Sequence, residues 1–351
     1  MQRRHFLITA TGSVALATEK KLEESMLASA TMAQTPRVGI IASSFAGGKE
    51  HDGTPVKGLA APQPLDSALP AAKLDAMLAK ALSLGTQVGG GLDRVIRPED
   101  WVVLKVRLGA SPGQTTDPRL VRGVLEWLVA RRRGRRFTIA EATGAWEQSW
   151  GPAFDHVNYR QMIQGLGKKY PRLRFELVNL AEDAYLEVPA NTRTYARGNP
   201  EGIYAIPKTI RECDKLVSVA PLAVDDELGV AACIANYRTI GRKPVQGEPE
   251  DVLTDLYLHH PADYAIAGGS YAGEANAADI RHNVLIAGGN ALSVDAVAAA
   301  VMGFDPRTLP LLDRMELRGF GVRDPDSIWT RGNEIDEVRK EFKKPARWGK
   351  L

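Results

Sequence analysis

The feature that most constrains this chain is a series of short, unbroken apolar runs. Val38-Gly-Ile-Ile-Ala42, Trp101-Val-Val-Leu-Lys-Val106, Phe137-Thr-Ile-Ala140 and Lys215-Leu-Val-Ser-Val-Ala220 are too short for helices and do not alternate with polar residues. Such runs fit strands buried on both faces. Between them apolar residues recur at helical spacing: Leu74, Met77, Leu78, Ala81 and Leu82, then Leu120, Val121, Val124, Leu125 and Leu128. Asp117 can cap the second of these helices, and Pro118 suits its first position. A strand–helix–strand unit over 100–140 implies parallel pairing through a crossover. The pattern continues with strands at Arg174–Asn179, Tyr264–Ala267 and Asn283–Ala287. Helices are expected at Phe154–Lys168, at Gly229–Tyr237, from Ser293 or Asp295 to Met302, and at Leu309–Arg318, with a surface helix at Glu334–Phe342. Residues 46–70 read as a long loop. The fold class is α/β, a mostly parallel sheet flanked by helices, in one body or two lobes.

The amino terminus has a different character. Arg3-Arg4-His-Phe-Leu7 precedes an apolar run that ends in Ala15-Leu16-Ala17. A basic head, an apolar core and a small-residue end are the marks of an export signal. The paired arginines point to the twin-arginine route. The alternative is the basic terminus of a cytoplasmic protein. On the export reading, residues 1–33 are signal and leader, cleaved after Ala17, Ala30 or Ala33. Residues 37–325 are then the α/β domain and 326–351 a polar tail. Export implies the twin-arginine machinery as a partner and a periplasmic or other extracytoplasmic location. No later run reaches ~18 apolar residues, so no membrane span is expected after processing.

Charge and cysteine content narrow the chemistry. A net charge of +3 is too small to imply nucleic acid. The basic run Arg131–Arg136 reads as a solvated helix end favoured by the macrodipole. Two cysteines, Cys213 and Cys233, cannot hold a four-thiolate iron–sulfur cluster. They are expected as buried free thiols or as one disulfide.

In an open parallel sheet, ligands bind beyond the carboxyl ends of the strands. That rule selects the loops after Val106, Ala140, Ala220, Ala267 and Ala287. Lys105, Arg107, Thr115 and Thr116 there suit an anion, or else a helix cap with a snorkelling lysine. Asp225, Asp226 and Glu227 are consecutive carboxylates. They suit a hard divalent cation such as Mg²⁺ or Ca²⁺, or a solvated acidic turn. Asp225, Asp226 and Glu141 are also candidate general acids or bases. Asn236 would orient a ligand or end a helix. Asp295 would cap its helix, or, if buried, bind ligand or require a partner, with Lys105 one candidate. His51, His259, His260 and His282 read as surface groups. Gly89-Gly-Gly91 and Gly268-Gly-Ser270 lack the flanks of a dinucleotide fingerprint.

Several of these segments resemble a known family. Val102–Val106, Thr115–Arg122, Thr138–Glu141, Cys213–Val219 and, most specifically, Leu285–Asp305 resemble the bacterial and archaeal domain of unknown function 362 (DUF362). The resemblance runs from about Arg97 to Gly321. It implies the α/β fold, leaves the reaction open, and matches Asn236 to an asparagine common in that family. Members often carry lysines and a histidine just after the middle strand, where this chain has Pro221, Ala223 and Asp225. The order strand, threonine-rich loop, helix, strand is also similar to the amino-terminal lobe of the lactate racemase family, which uses a nickel-pincer nucleotide, although the expected ligands are absent here. The expectation is an exported enzyme acting on, or binding, a small anionic molecule, with a divalent metal as candidate cofactor. The alternative is a non-catalytic solute-binding or accessory protein. Replacing Arg3 and Arg4 with lysine is expected to hold the full-length protein in the cytoplasm on cell fractionation. Normal export of that variant would exclude the twin-arginine route.

Overall fold

A computed structural model describes residues 35–49, 53–86, 90–142, 158–189, 202–241 and 247–348. The signal region 1–33, His51, Gly89 and the expected helix start at Phe154 lie outside them. The chain opens with β1 (Arg37–Ala42), a hairpin of β2 (Gly47–Lys49) and β3 (Pro55–Lys57), then α1 (Ala71–Leu84) and α2 (Leu92–Val95). Next come β4 (Trp101–Lys105), α3 (Pro118–Ala130), β5 (Arg136–Glu141), α4 (Tyr159–Lys169) and β6 (Arg174–Asn179). A second hairpin, β7 (Tyr185–Pro189) and β8 (Ile203–Pro207), leads through α5 (Lys208–Glu212) to β9 (Lys215–Asp225) and β10 (Gly229–Ala231). The last part is α6 (Pro249–His259), β11 (Tyr264–Gly273), β12 (Asp279–Gly288), α7 (Ala291–Val301), α8 (Pro310–Leu317), β13 (Trp329–Gly332) and α9 (Ile335–Val338).

These elements build a nine-stranded sheet in the order β13-β1-β12-β11-β9-β4-β5-β6, with β10 folded back on β9. β12 runs antiparallel to both of its neighbours and β10 antiparallel to β9; the other pairings are parallel. The apolar runs explain the layers, because successive strand residues face opposite sides. Ile40, Val103, Ala140, Leu216 and Ile286 enter one core. Ile41, Leu104, Ile139, Val217 and Leu285 enter the other. Leu74 and Leu78 of α1, Leu120 and Val124 of α3 and Met162 of α4 cover the second face. Leu253 of α6, Val294 and Val297 of α7 and Leu311 of α8 cover the first. Asp117 does cap α3, accepting the Arg119 N–H at 2.9 Å.

The structure corrects the sequence reading in several places. Gly229–Tyr237 is not a helix. Gly229 takes φ +79°, the left-handed region open to glycine, and the chain folds back as β10. Only Ala235–Thr239 then forms a short 3₁₀ turn. β9 continues past Ala220 to Asp225, and β11 past Ala267 to Gly273 across an irregularity between Gly269 and Tyr271. α7 begins at Ala291, capped by the Asn290 side chain on the Ser293 N–H at 2.9 Å, so Asp295 is no cap. The segment 334–342 holds one helical turn rather than a surface helix, and Val338 and Phe342 are buried with Trp348. β13, also in the polar segment, pairs with β1 at the sheet edge. Cys213 and Cys233 are buried and free. Among the described residues no helix is long and apolar enough to cross a membrane.

One close approach ties helix to sheet. A Cβ on Gly39 of β1 would lie 2.6 Å from the Ala81 carbonyl oxygen and 2.8 Å from the Gly85 nitrogen. Both are backbone atoms of α1 or its end, so neither can rotate away. Gly39→Ala is expected to cost about 1–3 kcal/mol by overpacking and to lower Tm by roughly 2–10 °C in thermal denaturation. An unchanged Tm would contradict this packing of α1 on β1.

Candidate anion-binding cleft

The strand order creates the site. From β4 the chain moves outward to β5 and β6, whereas after β9 it moves the opposite way to β11. The crevice at such a divergence is where open α/β sheets bind ligands. A cleft of about 270 Å³ lies there. Its walls include Arg107 beyond β4, Glu141 at the end of β5, Asp225 at the end of β9, and Asn236 and Arg238 from the 3₁₀ turn. The sequence reading had singled out four of these five, and Arg238 was missed. The only signal for Arg238 is its place two residues after Asn236.

Lys105 does not line the cleft but backs the Glu141 wall. Strand alternation puts it on the same face as Val103, where it is fully buried. Its Nζ lies 3.1 Å from Glu141 Oε1 and donates to the Val106 carbonyl at 2.9 Å. The parallel register sets Lys105 opposite Ala140, which brings Glu141 within reach as the next residue. Burial pulls the Lys105 ammonium below its usual pKa, and the Glu141 carboxylate opposes that pull. Asn236 ties the strand ends together. Its amide donates to the Lys105 and Val219 carbonyls and to Ser218 Oγ at 3.0–3.3 Å. Two carbonyl acceptors fix which end of the amide is nitrogen. The Asn236 Oδ1 is buried without a hydrogen-bond partner.

The acidic triplet is divided. Asp225 accepts the Glu227 and Leu228 N–H groups at 3.0 Å each, and Arg238 Nη1 at 3.0 Å. Burial raises the Asp225 carboxyl, but the Leu228 N–H and Arg238 outweigh it and hold it below the usual carboxylate range. Glu227 is exposed and reaches Arg238 Nη2 at 3.1 Å. Asp226 is exposed, and its backbone oxygen takes the Trp348 indole N–H at 3.1 Å. Asp225 is therefore committed to Arg238, and the three carboxylates do not converge as ligands. Among the described residues no three His, Cys, Asp or Glu side chains could hold a metal.

Arg107 differs from the other cations of the cleft. Lys105 pairs with Glu141 and Arg238 with Asp225 and Glu227, but among the described residues no carboxylate lies within 4.0 Å of the Arg107 guanidinium. Burial draws its pKa down, opposed by the more distant attraction of Asp225. An incompletely hydrated guanidinium without a counter-ion is an open fork for an oxyanion.

The remaining expected site residues lie outside the cleft. Thr116 Oγ1 accepts the Arg107 N–H at 2.9 Å and donates to the Val219 carbonyl at 2.8 Å. Thr115 Oγ1 exchanges bonds with the backbone of Gly109. Both hydroxyls thus shape the loop that presents Arg107, rather than facing a ligand. Asp295 is fully inside α7 and does not meet Lys105. Its two oxygens accept the Cys233 and Ile234 N–H groups at 2.8 and 2.9 Å. Burial pushes its carboxyl up to about 7. The loop after Ala287 emerges at the opposite end of the sheet, because β12 is antiparallel. His282, expected at the surface, is buried edge-on against Phe342, and burial lowers its imidazole to about 4. A buried network that was not anticipated joins Arg119 to Asp117 at 2.8 Å and to Ser270 at 2.5 Å.

Comparison with known proteins places the chain. Fold and cleft define an α/β protein with a ligand-sized crevice at the sheet's carboxyl ends. Residues 102–300 match the family described as Domain of unknown function (DUF362), and the chain belongs to that family. No curated protein matches it. Among solved structures it is similar to a Thermotoga maritima protein at 12% identity, covering 62% of this chain and 55% of that one, with a TM-score of 0.31. It is also similar to the lactate racemase apoprotein of Thermoanaerobacterium thermosaccharolyticum at 12% identity, covering 68% and 58%, with a TM-score of 0.33. The matched regions thus span less than two thirds of each of those chains.

The buried pair makes a direct test. Lys105→Met strands the Glu141 carboxylate and is expected to cost about 3–5 kcal/mol in denaturant unfolding. The double variant Lys105→Met with Glu141→Leu is expected to recover most of that loss. Additive losses in the two single variants and the double variant would mean that the two groups are not coupled.

Proposed function

We propose that this protein binds a small anionic molecule in the carboxyl-end cleft and acts on it as an enzyme. The observation that carries the reading is the Arg107 guanidinium, which lines the cleft with no carboxylate within 4.0 Å among the described residues. Arg107 takes the anionic group, and Arg238, steadied by Asp225, adds a second positive edge. The cleft volume of about 270 Å³ suits a ligand of few heavy atoms. Glu141 is the lining carboxylate placed to exchange a proton with the bound molecule. Lys105 holds the Glu141 Oε1 at 3.1 Å. The proposal includes export: the Arg3-Arg4 leader supports a periplasmic site of action, reached through the twin-arginine machinery.

Inorganic sulfate stands in for the anionic group in calorimetric titration, because its charge is constant across the working pH range. Arg107→Gln is expected to weaken sulfate binding about tenfold or more, the loss of one charged hydrogen-bonding fork, with Tm nearly unchanged. Equal affinity in the two proteins would remove Arg107 from the site.

A further inference from the structure

We propose that Asp295 is a positioning residue whose negative charge holds the turn carrying Asn236 and Arg238, so that anion binding in the cleft weakens when Asp295 takes up a proton. This rests on the reading of the cleft as an anion site. The geometry is specific. Asp295 lies on α7, outside the cleft, and is one of the deepest carboxylates of the molecule, 3% exposed. Its oxygens bind consecutive backbone N–H groups, Oδ1 that of Cys233 and Oδ2 that of Ile234. The next residues, Ala235–Thr239, are the 3₁₀ turn. That turn brings the Asn236 amide across the ends of β4 and β9, and Arg238 against Asp225. A carboxylate can accept at both oxygens. A carboxylic acid turns one oxygen into a hydroxyl donor, which opposes a backbone N–H. Protonation therefore removes one anchor of the turn.

The surroundings leave this charge uncompensated. On α7 the neighbouring residues Leu292, Val294, Ala296 and Ala299 are apolar and buried. From the turn, the Cys233 thiol faces Asp295, and from α6 the Tyr257 hydroxyl feels its charge. Burial pushes both of those groups upward, so neither ionises near neutrality. Of the two imidazoles at the end of α6, His259 packs against Tyr204, and His260 meets the turn through its backbone oxygen, which accepts from Tyr237. Among the described residues no lysine or arginine lies within 4.0 Å of Asp295. Among the described residues the Cys233 and Ile234 N–H groups and the Cys233 thiol support the charge, and burial outweighs them, pushing the carboxyl up to about 7.

Sulfate calorimetry between about pH 8 and about pH 5.5 tests the proposal. The wild-type affinity is expected to fall about fivefold as one charge-assisted bond is lost. Asp295→Asn, which sets an amide donor against one N–H, is expected to bind weakly and with no slope. The same slope in both proteins would overturn the proposal. If the variant fails to fold, amide hydrogen exchange of the wild type decides. Protection of residues 233–239 should fall relative to the rest of β9 and α7 below pH 7, and constant relative protection would overturn the proposal. If wild-type protein binds no sulfate, the cleft reading fails, and the exchange experiment still judges Asp295's hold on the turn.

Discussion

A charge at the end of a strand buried on both faces must find a partner, and the ion pair of Lys105 and Glu141 answers that demand. Taking an ammonium out of water is expensive unless a carboxylate and further hydrogen bonds meet it. The parallel register of β4 and β5 supplies the carboxylate one residue beyond the Ala140 level, and the Val106 carbonyl supplies another acceptor. Once the pair is made, the strand ends are fixed. The Asn236 amide can then cross from β4 to β9, and the loop carrying Arg107 can close on Thr116. The cleft is bordered by the Glu141 and Asn236 ends of that network.

The contrast between Arg107 and its neighbours separates structure from function. Arg119 is held by Asp117 and Ser270, and Arg238 by Asp225 and Glu227. Those pairings account for the buried charge of Arg119 and for the placing of the more exposed Arg238 without invoking a ligand. Arg107 has no such explanation among the described residues. Desolvating a cation without a partner is unfavourable, and the proposed anion would relieve that cost. The same logic moves Asp225 from candidate metal ligand to support for Arg238. It also moves Thr115 and Thr116 from candidate anion donors to the scaffold of the Arg107 loop.

Much of the fold was legible because the apolar runs at 38–42, 102–106, 137–140 and 215–220 have the length and composition of buried strands. Arg107, Glu141 and Asp225 were legible as site residues because they lie in the loops beyond those strands, where the carboxyl-end rule applies, and Asn236 through its resemblance to an asparagine common in the family. The failures have physical causes. Gly229–Tyr237 has small residues at helix-compatible spacing, and a single positive φ at Gly229 redirects the chain into a strand. The antiparallel direction of β12 cannot be read from Asn283–Ala287, so the loop after it was placed at the wrong end of the sheet. Asp295 depends on contacts across long sequence separations, including 62 residues from Cys233, and Arg238 on a turn-back that brings it to Asp225. No local pattern encodes such a contact. His282 was assigned to the surface because its cover, Phe342, comes from a tail with no clear period.

The most direct measurement is anomalous diffraction from crystals soaked in selenate, an oxyanion that marks its own position. The expected result is a selenium peak between the Arg107 and Arg238 guanidinium groups, above Asn236. Selenium found only beside the exposed arginines of the Arg131–Arg136 run, with the cleft holding none, would contradict a bound anion at Arg107.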